Sequence, residues 1–313
     1  MSPDSPARAS SEPELPRGVA LAWGVAANPQ RGPKRELSIE RIVEVAAAIA
    51  DAEGLAAVSM SRVAQALGFT TMSLYRYVSA KDDLLTLMQE FGTGVPPEPE
   101  PGDEELPWRE RLRAHAAGVL SRYREHPWML DIPIEGTPVT PNNLAWMDSA
   151  LAILGDLPLS EDERVAMMLL ITGQTRWQAI VERSYVESAS AAGVDPQTID
   201  DARDAMLDSL VTAEEFPALR RAVDAGVFRA DDDPLAFGLE RVLDSIEVYV
   251  EARAAGEPAV AVPPTIHEDP AVLADKKVRE AHKARREAEK RLRDARKLER
   301  VALKEARTRL ARS

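Results

Sequence analysis

The chain has 313 residues, 45% of them hydrophobic and 29% charged, enough apolar content for a packed core and enough length for two domains with flexible segments. It has no cysteine, which excludes disulfides, thiol catalysis and thiolate metal sites; it also lacks an apolar run able to cross a bilayer or serve as a signal peptide, so a cytoplasmic protein without membrane contact is expected. Its net charge of −13 is unevenly divided: residues 275–313 carry 16 Lys and Arg against 7 Asp and Glu, residues 31–91 are close to neutral, and the acidity lies in 92–274, where it would repel nucleic acid.

Residues 1–35 are rich in Pro, Ser, Ala and Glu without a helical period, which predicts a disordered leader ending in the basic cluster Arg31, Lys34 and Arg35. Order is expected from Ser38, an N-cap followed by Ile39, Ile42, Val43, Ala46, Ile49 and Ala50 on one helix face, with Gly54 as the stop. Ser59 caps a short second helix with Val63 and Leu67 inward, and Gly68 permits the tight turn of a helix-turn-helix. A third helix, about Thr71 to Val78 and capped by Thr70, offers only Leu74, Val78 and part of Tyr77 to a core, so most of its surface needs a partner. Ser79 and Asp82 fit a capping box opening a fourth helix that carries Leu84, Leu85, Leu87, Met88 and Phe91.

The stretch GTGVPPEPEPGDEELP combines five prolines with five acids and reads as a semi-rigid linker. Beyond it the pattern is helical throughout: Trp108, Leu112, His115, Val119 and Tyr123 share a face, and further helices are expected at 141–155, 160–188, 196–211, 214–225 and 233–255. The segment VAMMLLITGQTRWQAIV is apolar nearly all round at its start, as for a helix buried by its own domain and by a partner. The division expected is 1–35 leader, 36–91 DNA-binding module, 92–105 linker, 106–256 helical domain, 257–272 linker and 273–313 a basic helical tail. That tail reads as a solvated, charge-laced helix; its net charge of +9 also allows an electrostatic arm on flanking DNA.

The residues IERIVEVAAAIADAEGLAAVSMSRVAQALGFTTMSLYRYVSAKDDLLTLM resemble the N-terminal DNA-binding region of the TetR (tetracycline repressor) family, with AEG, VAQALG, LYRYV and K-D-x-L-L in the family's order. Residues 106–255 are similar, more weakly, to the all-helical C-terminal domain of the Tet repressor branch, including RYREHPWML and WQAIVERS. The resemblance implies an all-α fold, a homodimer formed through two long helices, and a small-molecule effector held in the helical domain. It places Thr70, Thr71, Met72 and Ser73 at base edges and Tyr75, Tyr77 and Lys81 on sugar and phosphate, with Arg76, Lys34 and Arg35 as further phosphate contacts. The residue types agree: hydroxyls and a methyl-bearing chain at a helix start suit the major groove, and tyrosines with a lysine suit the backbone.

His115, Met129, Trp146 and Trp177 are core-type residues from which an effector pocket would be lined. Glu182 falls near an acidic position of the Tet repressor's drug–magnesium site; the loop 127–140 holds no histidine, and a structural salt bridge is the favoured role for Glu182. No cofactor or metal site is expected, because the four histidines show no ligand spacing and no phosphate loop or nucleophile elbow occurs. The function implied is a ligand-responsive repressor released from a palindromic operator by a small, mainly apolar effector. The alternative is a constitutive architectural DNA-binding protein that works through its basic tail.

Overall fold

In the computed structural model, residues 15–25, 37–134, 139–227, 234–259 and 268–310 are described, and among them there are helices and turns but no strand. After a first short helix, α1 (Arg17–Ala22), comes α2 (Ile39–Glu53); it begins where Ser38 accepts from the Arg41 amide at 3.2 Å and ends at Gly54. α3 (Met60–Leu67) is capped likewise, Ser59 accepting from the Arg62 amide. Gly68 then takes φ 76°, a left-handed conformation costly for a residue with Cβ, and α4 (Thr71–Tyr75) follows under the Thr70 cap. α4 ends before Val78, where the sequence pattern had carried it. α5 (Lys81–Thr93) starts from Ala80 with no side-chain cap, so the expected capping box at Ser79 does not form.

Ile42, Val63, Leu74, Val78, Leu84 and Met88 are fully buried in the core that these helices share. Each contributes about 1.5–3 kcal/mol relative to exposure. Trp128, Met129 and Ile132, from far along the chain, complete the same core.

The leader also departs from expectation. α1 packs along α5 with Val19 and Leu21 buried, and the Trp23 indole donates to the Val139 carbonyl at 2.7 Å. A Cβ on Gly18 would lie 2.9 Å from Thr86 Cβ, so the approach of α1 to α5 depends on glycine. Six residues are too few to show a period, and isolated helices this short do not hold; docking supplies the stability.

The second half comprises α6 (Trp108–Glu125), α7 (Pro141–Leu154), α8 (Glu161–Ala192), α9 (Pro196–Leu210), α10 (Pro217–Asp224) and α11 (Pro234–Ala254). Leu112, Leu154, Met167, Ile171, Leu243 and Ile246 form its core, where α8 meets α6, α7 and α11. Arg109 of α6 reaches Glu240, Asp244 and Glu247 of α11, and hydrogen bonds from Arg113 and Arg109 hold the Glu240 carboxyl well below the usual range.

Residues up to Glu257 make one compact unit and the remainder a second. In the second, α12 (Pro270–Ala274) and α13 (Lys276–Leu310) are separated by Asp275, whose carboxylate accepts from the Lys277 and Val278 amides at 2.8 and 3.1 Å and so caps α13.

Candidate nucleic-acid interface and its coupling

α4 is held by its buried side only. Leu74 is fully buried, while Met72 is 72% and Tyr75 44% exposed, with Arg76 and Lys81 also outward. Thr71 and Ser73 are half-buried at the helix start. Thr70 Oγ1 accepts from the Ser73 amide at 3.3 Å and lies 2.9 Å from Ser73 Oγ, so Thr70 is engaged in capping and the two hydroxyls present one linked polar group. An exposed thioether, hydroxyls and a phenol on one short helix after a tight turn are the groups that meet base edges and phosphates in a major groove.

Tyr77 is a correction. It is 6% exposed and belongs to the core, because the backbone leaves α4 after Tyr75 and turns Tyr77 and Val78 inward together. Lys34 and Arg35 lie outside the described residues.

The five residues expected to line an effector pocket do not converge. His115 of α6 and Trp146 of α7 do meet, edge to face with ring centroids 5.2 Å apart, and His115 Nδ1 lies 3.2 Å from Ser149 Oγ. Burial lowers the His115 pKa to about 4, so the imidazole is neutral at pH 7. Met129 instead packs into the N-terminal core, and Trp177 is 58% exposed on the outer face of α8. Glu182 accepts two bonds from Arg124, at 2.8 and 2.9 Å, and one from Gln178, which is the salt-bridge role expected of it.

The structure adds contacts, and residues such as Asp51 and Asn142, that the sequence did not single out. Asp51 Oδ1 of α2 lies 2.9 Å from His126 Nδ1 and accepts from Trp128 Nε1 at 2.6 Å, tying α2 to the turn after α6. The C-terminal end of α5 is held by three side chains of the second half. Arg122 donates to the Gly92 and Thr93 carbonyls, Trp146 Nε1 to Thr93 and Gly94, and Asn142 Nδ2 to Glu90. The carbonyls of Gly92, Thr93 and Gly94, beyond the last intrahelical bond, need donors, and they find them across the domain boundary. Of this set, Arg122, His126 and Trp128 lie within the RYREHPWML match. Arg176 and Arg183 of α8 then bind the 127–132 turn through Leu130, Ile132, Pro127 and Asp131.

Among the described residues, no group of three or more His, Asp or Glu is placed to hold a metal ion, and no helix is long and apolar enough to cross a membrane.

Two family models match the chain: "Bacterial regulatory proteins, tetR family" over residues 42–88, and "Tetracyclin repressor-like, C-terminal domain" over 98–250. The HTH-type transcriptional repressor DrrR1 of Streptomyces coeruleorubidus is 35% identical over 245 residues, 78% of this chain and 90% of that protein. An HTH-type transcriptional repressor of Mycobacterium tuberculosis is 27% identical over 246 residues, covering 75% and 90%. Among solved structures, apo ActR from Streptomyces coelicolor aligns with a TM-score of 0.56 at 27% identity, covering 70% of this chain and 99% of its own. ActR in complex with actinorhodin aligns at 0.55 and 27% identity, covering 69% and 96%.

Proposed function

The chain belongs to the TetR family of bacterial regulatory proteins, and from that premise we propose that it is a transcriptional repressor that a small molecule releases from a palindromic operator. It acts by binding, without a catalytic step. Two copies pair through α8 and α11, where Leu169, Leu170 and Trp177 of one helix and Phe237 and Val248 of the other are exposed. Pairing places two α4 helices in successive major grooves, about 34–36 Å apart. Thr71, Met72 and Ser73 face base edges, and Tyr75, Arg76 and Lys81 face the backbone. Lys34 and Arg35 would extend the backbone contacts.

The observation that carries ligand control is Trp146. Its ring meets His115 inside the helical domain, and its indole nitrogen holds the last carbonyls of α5, which shares a core with α4 through Leu74, Leu84 and Met88. A ligand that enters beside His115 and Ser149 and displaces the Trp146 ring would release those carbonyls and shift the α4 spacing. The shift equals the ligand's differential affinity for the two states and no more. Trp177 and Glu182 stand outside this site, and Met129 acts through the core beneath it.

The test is selection of bound duplexes with the full-length protein, followed by release with small, mainly apolar compounds. Actinorhodin, which ActR binds, is the first compound to try. A palindrome released by a ligand from the wild type, and bound but not released with Trp146→Phe, is the expected result. Recovery of no preferred sequence ends the operator reading, and equal release of both proteins ends the role of Trp146.

A further inference from the structure

α13 lies outside both regions matched by the family models, and its basic residues follow a regular register. Arg279, Lys283, Arg286, Lys290, Arg293 and Lys297 recur at alternating steps of four and three residues, and Arg300, Lys304 and Arg307 continue the series in the sequence. At 3.6 residues per turn this spacing keeps the first six on one face, a stripe roughly 27 Å long. The six named side chains are all exposed. Glu280, Glu287 and Asp294 recur every seven residues about 100° round the helix, and Ala281, Ala284, Ala288, Leu292 and Ala295 occupy the side opposite the stripe.

A helix laced for its own stability sets opposite charges at i and i+4. Along the stripe the neighbours at three and four are like charges, which is unfavourable in an isolated helix, although Lys283, Lys290 and Arg293 also have Glu287, Asp294 and Glu289 four residues away. The ion pairs of α13 among the described residues, Lys276–Glu280 at 3.9 Å and Arg285–Glu289 at 3.2 Å, use none of the six. Their charge is therefore available to an outside polyanion. A lipid surface would ask for large apolar or aromatic residues on the opposite face; α13 has no aromatic residue, and that face is mostly alanine. Duplex DNA presents one phosphate per about 1.7 Å of its axis, a polyanion dense enough to meet a stripe with one positive charge per roughly 5 Å.

We propose that the basic stripe of α13 binds the DNA backbone, adding sequence-independent phosphate contacts to those made by α4. This rests on the reading of the chain as a DNA-binding regulator, and the test separates the two. The full-length protein is titrated with a random duplex and with its selected duplex over a range of salt. One variant replaces Arg279, Lys283, Arg286, Lys290 and Arg293 with Gln; a second replaces Lys277, Arg285, Arg291, Arg296 and Arg309, which lie off the stripe, with Gln. Both lose the same charge, and Gln matches Lys and Arg as a helix former, which circular dichroism verifies.

On the random duplex the stripe variant is expected to lose about 5 from the slope of log K against log salt and roughly tenfold or more in affinity at low salt. The off-stripe variant should stay within about 2 of the wild-type slope. Equal slopes for the two variants would assign the effect to net charge and overturn the stripe. Slopes unchanged from wild type, with binding to phosphatidylserine vesicles lost instead, would overturn DNA as the partner. If the wild type shows no sequence preference yet the slopes differ as expected, the α4 reading fails and the stripe stands.

Discussion

Met72 is an apolar side chain held out in water beside two hydroxyls, with no packing to stabilise it there. Replacing it with Ala is expected to leave the unfolding midpoint within the small range of surface substitutions and to weaken discrimination at one operator position by on the order of 1 kcal/mol, as for a lost thymine-methyl contact. Competition titrations against a set of single-base variants of the operator read this out. His115 is a different kind of residue, one whose charge is opposed by burial. With its pKa lowered from 6.5 to about 4, its neutral form stabilises the fold fully above pH 6.5, and that contribution is lost as the pH falls towards 4. Urea unfolding at pH 7 and pH 4.5 should show the wild type losing about 2 kcal/mol more than His115→Gln over that window. Parallel pH dependence of the two proteins would show that burial does not control this imidazole.

At the level of elements, α4 and α5 would form the reading head of the proposed complex, and α1 braces α5. α4 owes its position to one buried leucine, a threonine cap and a left-handed glycine; its own length of five residues contributes little. α1 depends still more on its partner. Gly18→Val would bring a side chain into Thr86 and the Asp83 backbone, so α1 is expected to undock, with a loss of about 1–3 kcal/mol. Hydrogen exchange should then show faster exchange across residues 17–23 and along α5, with the Trp23–Val139 bond broken. Protection in α1 equal to wild type would mean that α5 yields instead.

For the whole molecule, the long helix α8 would have two duties in the proposed dimer. One side buries Met167, Met168, Ile171 and Ala179 in its own domain, while Leu169, Leu170 and Trp177 remain outward. Changing Leu170 and Trp177 to Arg is expected to convert a dimer into a monomer in sedimentation equilibrium, and to reduce operator affinity by roughly tenfold or more, because each monomer then holds one half-site. A monomeric wild type would refute the assigned face. The same helix grips the 127–132 turn, which touches Asp51 in α2, so one chain of side-chain contacts joins α8 to the N-terminal helices and would link the proposed pairing face to the proposed DNA-binding module.

Much of this was legible in the sequence. Helix starts and stops follow from local chemistry, and Ser38, Ser59, Thr70, Gly54 and Gly68 each act on residues within one turn of themselves. The helical period likewise separated the inward Leu74 from the outward Met72. The order of motifs from AEG to K-D-x-L-L was sufficient to place the family. What only the tertiary structure decided involves partners distant in the chain: Tyr77 turned into the core, Trp177 left outside it, Met129 assigned to the N-terminal half, and α1 formed on α5. The joint between the halves was hidden for the same reason. Trp146 and Arg122 donate to backbone carbonyls of α5, and a carbonyl that needs a donor has no letter in the sequence.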